Sequence, residues 1–256
     1  MIAALRAEWT KIRTLASTAW LLIGTAVLTT GVGVVVAATT HQSSGSGGQD
    51  TTTLALTGID LGQAVIVVLA VLAITEEYGT GMIRTSFAAV PRRITVLGAK
   101  AAAVAALTLA AGAVAVAGSL VAGRLVRPGG LGADHGSVLG WFTHGPTSRA
   151  AAGSVLYLVL VALLALGIAT AVRDTAVSIG VVLAVLYLPT LLARAVGDPL
   201  RRHIEQVAPM TAGLAVQATT NLTKLPISPW AGIGVLAAWA AGALLLACLL
   251  LRHRDP

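Results

Sequence analysis

Long apolar blocks separated by short polar segments dominate the pattern of this chain. Blocks of about 20 residues recur along it, close to the length of helix that the roughly 30 Å hydrocarbon core of a bilayer requires. Lipid offers no hydrogen-bond partners to a bare backbone, so such blocks must be helical if they enter a membrane. The predicted spans cover residues 17–40, 57–75, 101–123, 150–172, 175–193 and 230–251. The pattern therefore predicts an all-α, polytopic membrane protein with six transmembrane helices in a single transmembrane domain over residues 1–256.

Only Arg173 and Asp174 separate the fourth and fifth blocks. One helix from residue 150 to residue 193 would be roughly 66 Å long at about 1.5 Å per residue, twice the hydrocarbon thickness. Holding either charge at the centre of the bilayer would also cost about 2.5 to 3.5 kcal/mol. We therefore expect the chain to cross the membrane, turn at this charged pair and cross back.

The composition supports lipid rather than water as the solvent. Of the 256 residues, 56% are hydrophobic and 11% are charged, whereas soluble domains carry about 25% charged residues. The net charge of +7 comes from basic residues scattered through short segments, so they form no continuous stripe for nucleic acid. Cys248 is the only cysteine, which excludes an intrachain disulfide and a cysteine-based metal cluster.

The basic residues also predict an orientation. An even number of spans puts both termini on one side, and Lys and Arg are denser in the segments on that side than in the others. Cytoplasmic segments carry such an excess. We expect a multi-pass protein of the plasma membrane with both termini in the cytoplasm.

Residues 1–16 have the pattern of an amphipathic helix. Apolar residues recur at steps of three and four, at Ile2, Leu5, Trp9 and Ile12. Arg6 and Arg13 lie on another face, where they can meet anionic lipid. We predict an interfacial helix on the cytoplasmic surface, which could serve either as a topology anchor or as a docking element for a partner.

The segment from residue 76 to residue 100 follows the second span and combines acids, glycines and basic residues. Its first part reads EEYGTGMIRTSFAAVPRR. Gly79 and Gly81 should break the helix, residues 82–90 can form a short helix, and Pro91 should end it. We expect a short cytoplasmic coupling helix between spans two and three; the alternative is a solvated loop whose charges only set the topology.

The basic amphipathic start, the Glu-Glu-Tyr stretch with Gly-Thr-Gly and Pro-Arg-Arg, and the six spans together resemble the type-2 ABC exporter permeases. The resemblance covers nearly the whole chain. It implies a permease paired with a second permease chain, either an identical copy or a paralogue. The resemblance does not identify a substrate, but apolar, alanine-rich spans suit an amphipathic one. It also implies two copies of a separate ABC ATPase subunit, which would bind the ATP and magnesium.

In that family the amino-terminal surface helix and the loop between spans two and three contact the ATPase. The resemblance assigns four positions of the interfacial helix to this contact: Arg6, Trp9, Lys11 and Arg13. It assigns six further positions to ATPase coupling: Glu76, Glu77, Arg84, Pro91, Arg92 and Arg93. The phosphate-binding pattern Gly-x-x-x-x-Gly-Lys followed by Ser or Thr does not occur in the chain, so we expect no ATP hydrolysis and no bound cofactor here.

The segment 194–229, expected outside, fits the same plan. Asp198 could cap a helix that begins with Pro199, with Arg202 and Glu205 on its surface and Pro209 after it. Residues 210–220 resemble the partly re-entrant segment of the family. An ordinary surface loop is the alternative.

Three other functions would also suit a membrane protein of this kind: a metalloprotease, an ion-coupled secondary transporter and an assembly subunit. In a membrane metalloprotease with the pattern Glu-Glu-x-x-x-Arg, the arginine would stand at Gly81, and the five histidines fall outside the predicted spans, so metal-assisted hydrolysis is unsupported. The Gly58 to Gly62 pair, which suits helix packing, would also fit an ion-coupled secondary transporter. Such a transporter usually needs ionisable groups deep in the membrane, and this sequence predicts none there. A non-transporting membrane assembly subunit remains as a further alternative.

Overall fold

The computed structural model describes residues 16–43, 50–79, 93–125, 145–220 and 222–253, and this part of the chain is helical, without strands. The long helices are α1 (Ala16–Ser43), α3 (Ile59–Gly79), α4 (Arg93–Leu125), α5 (Gly145–Val172), α6 (Thr175–Ala195) and α9 (Pro229–His253). The short helices are α2 (Thr51–Leu56), α7 (Leu200–Val207) and α8 (Pro209–Leu214), with 3₁₀ turns at Ala215–Gln217 and Leu222–Lys224.

Six helices are long and apolar enough to cross a membrane, as the sequence predicted. These stretches are Trp20–Thr39, Thr52–Gly79, Ile94–Gly123, Gly145–Val172, Thr175–Ala195 and Pro229–His253, with mean hydropathies from 2.1 to 2.7. The third begins earlier than expected, because α4 starts at Arg93 rather than at Ala101. Lys100 therefore lies inside a helix and not in a polar loop.

The buried core is centred on α5, and the outer surface is apolar. Tyr157, Leu158 and Leu164 of α5 are fully buried, and this helix packs against α3, α4, α6 and α9. Large side chains on the outward faces of other helices are exposed, including Trp20 of α1 and Leu245 of α9. An apolar exterior around an apolar core is expected of a protein solvated by lipid.

Small residues allow the helices to approach each other closely. Gly58 and Gly62, the pair noted in the sequence, both lie against Thr29 of α1, where an added Cβ would overlap its atoms. Gly167 of α5 likewise lies against the backbone of Ala243 in α9. Close backbone approach at small residues is a general feature of helix packing in membranes, and it accounts for this glycine pair structurally.

The turn at Arg173 and Asp174 confirms the prediction that spans four and five are separate. Helix α5 ends at Val172, and Arg173 adopts a left-handed conformation with φ of 63°. Asp174 then caps α6, because its carboxylate accepts a hydrogen bond of 2.8 Å from the backbone N–H of Val177. The charged pair thus ends one helix and begins the next.

Helix α7 exists as predicted, but its polar contacts differ from the expectation. Asp198 does not cap it, since Pro199 occupies the N-cap position without a side-chain hydrogen bond. The ion pair on its surface joins Arg201 to Glu205 at 2.8 Å, four residues apart, while Arg202 lies 3.8 Å from Asp198. Residues four apart share a helix face more closely, and this spacing selects the pairing.

The residues after α7 return to the core of the bundle. In α8, Met210 and Ala212 are buried, and Val216 in the following 3₁₀ turn is fully buried. Gly232 of α9 lies against the Ala212 backbone, and Gly153 of α5 lies against Val216. The segment expected to be partly re-entrant therefore packs between helices; its depth in the membrane stays a prediction.

Candidate functional site

The bundle has two chemically different ends. At one end α3 finishes, α4 starts, and α5 turns into α6. Helix α1 starts at this end and α9, which starts at the opposite end, finishes here, so residues 16 and 253 also lie here. We call this the terminal end. The opposite end, where α6 finishes and α9 begins, is called the distal end.

A buried ion pair joins α3 to α4 at the terminal end. The Nζ atom of Lys100 lies 2.7 Å from Oε1 of Glu77, and the side chains are only 1% and 4% exposed. The same ammonium donates a hydrogen bond of 3.2 Å to the carbonyl oxygen of Ala73. A buried charge is tolerated only when it is paired and hydrogen-bonded, so this pair holds the last turn of α3 against the second turn of α4.

A second contact joins the same end of α3 to the turn between α5 and α6. The guanidinium carbon of Arg173 lies 5.4 Å from the centre of the Tyr78 ring, within the range of a cation–π interaction. Because Arg173 is also the left-handed residue that ends α5, this stack links α3 to the connection between α5 and α6. Glu77, Tyr78, Lys100 and Arg173 form what we call the terminal-end cluster.

The residues assigned to ATPase coupling fall into three groups. Glu76 is exposed and Glu77 is buried, next to each other in the last turn of α3. Arg93 is the first residue of α4, and only its backbone is described. The other predicted positions lie outside the described residues: Arg6, Trp9, Lys11, Arg13, Arg84, Pro91 and Arg92.

Reasoning from the sequence did not select Lys100, Tyr78 or Arg173 as members of a site. A signal for the pair was nevertheless present, because a glutamate ends one apolar block and a lysine begins the next. Adjacent antiparallel helices bring such positions together, and a charge near membrane depth needs a partner. The contact between Tyr78 and Arg173 has no comparable sequence signal, since 95 residues separate them and nothing in the pattern pairs α3 with that turn.

At the distal end, Asp50 fastens the entry of span two to the segment after α8. Its carboxylate accepts hydrogen bonds from the backbone N–H and hydroxyl of Thr219 and from the backbone N–H of Thr220, the latter at 3.0 Å. It also caps α2 through the N–H of Thr53 at 3.3 Å. Burial alone would raise the pKa of Asp50, but these hydrogen bonds outweigh it and hold the pKa below its usual value of 3.8.

A polar network lies deeper in the bundle on the distal side. The Tyr157 hydroxyl donates to Oε1 of Gln63, and the amide of Gln63 donates to the carbonyl oxygen of Asp60 at 3.2 Å and contacts the Met210 sulfur at 3.4 Å. The Tyr187 hydroxyl donates to the same Asp60 carbonyl. These bonds tie α3, α5, α6 and α8 together where the pattern of the chain predicted mainly apolar packing.

Within the described ranges, no group of three or more His, Cys, Asp or Glu side chains could hold a metal ion. The terminal-end cluster consists of pairwise contacts between helices, which suits mechanical linkage better than bond-making chemistry. No family model matches the chain, and no curated protein matches it.

Proposed function

We propose that this chain is the membrane-spanning permease subunit of an ATP-driven exporter that moves an amphipathic substrate. It would work with a second permease chain and with two copies of a separate ATPase subunit, which bind ATP and magnesium. The observation that carries the proposal is the terminal-end cluster, which joins α3 to α4, the two helices that flank the segment 80–92.

The cluster supplies a path for mechanical force. The pair of Glu77 and Lys100 clamps the helix that enters the segment to the helix that leaves it, at 2.7 Å. A push on the segment would therefore move α3 and α4 together. The Arg173 stack on Tyr78 would pass part of the motion to α5 and α6, because Arg173 forms the connection between them. A packed interior transmits such displacements well, since it is dense and poorly compressible.

The surface residues near the cluster would make the contact with the ATPase. Glu76 is exposed beside the buried Glu77, so the two glutamates have different roles in this proposal: Glu76 meets the partner, and Glu77 positions the helix. Arg84, Arg92 and Arg93, together with the amino-terminal helix, would provide basic groups for the same contact. Rim charges of this kind mainly control the rate and specificity of association.

A charge reversal at Arg92 and Arg93 tests the proposal. The chain is co-expressed with candidate ATPase subunits and purified as a complex, and ATP hydrolysis and substrate transport are measured together in vesicles. The variant Arg92→Glu/Arg93→Glu should insert normally but lose most of the transport that accompanies hydrolysis.

The matched control is Arg201→Glu/Arg202→Glu at the distal end, which introduces the same change of charge and should leave coupling intact. Full coupling in the Arg92→Glu/Arg93→Glu variant would contradict the proposal. Robust ATP hydrolysis by the purified chain alone would contradict it as well.

An ion-coupled secondary transporter is the second candidate, and one observation favours it. Asp60 and Lys100 both lie within the candidate spans. The sequence pattern had placed Asp60 near the start of span two and Lys100 just before span three. Ionisable groups inside spans are common on ion pathways. Substrate flux that follows an imposed ion gradient in vesicles containing only this chain would favour the second candidate over the exporter.

A further inference from the structure

Two buried nitrogen donors at the distal end of the bundle have no acceptor among the described residues. They are the Nε atom of Arg149, in the second turn of α5, and the amide Nε2 atom of Gln217, in the 3₁₀ turn that follows α8. Gln217 is only 4% exposed, whereas Arg149 is half-buried. A buried donor without an acceptor costs the free energy of its lost hydration. A ligand that supplies acceptors would therefore stabilise both groups.

The two donors belong to one contact between α5 and the residues after α8. The Nη2 atom of Arg149 donates a hydrogen bond of 2.6 Å to the carbonyl oxygen of Ala218, the residue that follows Gln217. Gly153, one turn along α5 from Arg149, lies against Val216, the residue that precedes Gln217. This stretch of chain therefore runs along the first turns of α5, which places Gln217 next to Arg149 in space.

Arg149 has no acidic partner in the part of the chain that the structure describes, since none of the ion pairs there includes it. Asp50 is the acid that binds the same stretch, and its carboxylate already accepts hydrogen bonds from three threonines, Thr53, Thr219 and Thr220. The lowered pKa of Asp50 arises from these bonds, and no basic side chain contributes to it. Asp50 is therefore not the counter-ion of Arg149, although its charge reduces the affinity that an anion can reach here.

The donor set selects an oxyanion as the ligand. The two nitrogen atoms can only donate hydrogen bonds, so the ligand must present at least two acceptors. Carboxylate and phosphate groups do so, and their hydrogen bonds with arginine are among the strongest in proteins. A water molecule would satisfy the donors without compensating the charge of Arg149, and a cation would be repelled by that charge.

The site lies where soluble anions and lipid head groups can both reach it. Arg149 is four residues from Gly145, the first residue of α5, which corresponds to roughly 6 Å of helix at about 1.5 Å per residue. This position is near the distal edge of the candidate span that begins at Gly145. An anion can therefore approach the half-buried Arg149 from the distal surface, whereas Gln217 is covered by protein.

We infer that Arg149 and Gln217 form a binding site for an oxyanion at the distal surface of the bundle. The oxyanion is either free, as phosphate is, or it is the phosphate group of a lipid. Arg149 supplies the positive charge and its Nε–H group, and Gln217 donates a hydrogen bond from its amide. The inference does not depend on the proposed function, because it requires only the contact between α5 and residues 216–218.

Thermal unfolding in maltoside micelles tests the site, because these micelles contain no phosphate. Potassium phosphate is titrated against potassium chloride at the same ionic strength. A ligand that binds only the folded chain raises the melting temperature once its concentration exceeds the dissociation constant. We expect this rise above about 1 mM phosphate, the affinity that two charge-assisted hydrogen bonds provide, and no rise with chloride.

Two variants and one control separate binding from effects on the fold. Arg149→Gln should weaken phosphate binding at least about tenfold, because it removes the charge. Gln217→Leu should also weaken binding about tenfold, yet it should raise the melting temperature in the absence of phosphate. The reason is that leucine replaces a buried donor without an acceptor by an apolar group of similar size. Arg201→Gln, which removes an arginine that Glu205 already pairs, is the matched control and should leave the phosphate effect unchanged.

Native mass spectrometry with added phosphatidylglycerol identifies the source of the oxyanion. One lipid retained by the wild type, and lost in Arg149→Gln and Gln217→Leu, would assign the site to a lipid head group. A rise of the melting temperature with phosphate, but no retained lipid, would assign it to a free anion.

Three results would overturn the inference. The first is that neither phosphate nor lipid binds, and the second is that binding survives both Arg149→Gln and Gln217→Leu. The third is a lowered melting temperature of phosphate-free Gln217→Leu, because the amide would then have a structural partner within the protein. If Arg149→Gln does not fold, the wild type and Gln217→Leu alone decide between these outcomes.

Discussion

Replacement of Lys100 by methionine tests the ion pair at the terminal end. Methionine keeps most of the side-chain volume but removes the ammonium group, so the buried Glu77 loses its ion pair of 2.7 Å with Lys100. Removing one member of a buried pair leaves an uncompensated charge and costs about 3 to 5 kcal/mol. The lost hydrogen bond to the Ala73 carbonyl oxygen adds to that cost. We therefore expect Lys100→Met to lower the free energy of unfolding by several kcal/mol.

A double-mutant cycle separates the pair from the packing of the two side chains. Glu77→Leu removes the other charge, and the double variant Glu77→Leu/Lys100→Met removes both. Replacement of a whole buried pair by apolar residues is often neutral or stabilising, so the double variant should unfold within about 1 kcal/mol of the wild type. The measurement is reversible unfolding in mixed micelles, followed by circular dichroism. Glu205→Gln, which breaks the exposed pair on α7, is the control and should change stability little.

A wild-type free energy of unfolding for Lys100→Met would contradict a stabilising ion pair. A double variant that loses as much stability as the two single variants together would contradict it too, because the two charges would then not interact. Additive losses would mean that the side chains contribute through packing alone, and the proposed mechanical clamp between α3 and α4 would lose its basis.

Two further predictions concern helix packing and pH. Gly232→Ala should destabilise the protein because the added Cβ would overlap the Ala212 carbonyl oxygen. Gly234→Ala, which has open space at its Cβ, should be neutral or stabilise by up to about 1 kcal/mol. Unfolding of the two variants in micelles checks this, and equal effects on the free energy of unfolding would contradict it. Because hydrogen bonds from Thr219 hold the pKa of folded Asp50 below 3.8, its stabilisation should be complete above about pH 4 and disappear as the pH falls through the folded pKa. The stability difference between wild type and Asp50→Asn should therefore shrink on acidification, and a difference that stays constant from pH 7 to pH 3 would refute the role of the carboxylate.

The membrane architecture could be predicted from the sequence because it depends on local quantities. The length and hydropathy of each apolar block determine whether it can cross a bilayer, and the turn at Arg173 and Asp174 followed from length alone. The extra turns of α4 before Ala101 could not be predicted in this way. A helix does not need to end where the apolar block ends, because its backbone N–H and C=O groups hydrogen-bond to each other in water as well as in lipid.

The long-range contacts could not be predicted because they depend on how helices pack. Gln63 is a polar residue inside the second predicted span, and nothing in the pattern names its partner, yet it is fully buried and bonded to Tyr157, 94 residues away. Helix α7 shows the same limit on a smaller scale. Its existence followed from the pattern, but the predicted cap at Asp198 was wrong, since Pro199 occupies the N-cap position without a side-chain hydrogen bond.

The segment between spans two and three carries the central claim, because an ATPase in the cytosol can reach it only from one side of the membrane. Its position can be measured with a membrane-impermeant maleimide on intact cells, in a background where Cys248 is replaced by serine. Arg84→Cys should be labelled only after the membrane is permeabilised, whereas Gly197→Cys, at the distal end, should be labelled from outside. Labelling of Arg84→Cys in intact cells together with protection of Gly197→Cys would contradict the orientation and the exporter proposal that depends on it.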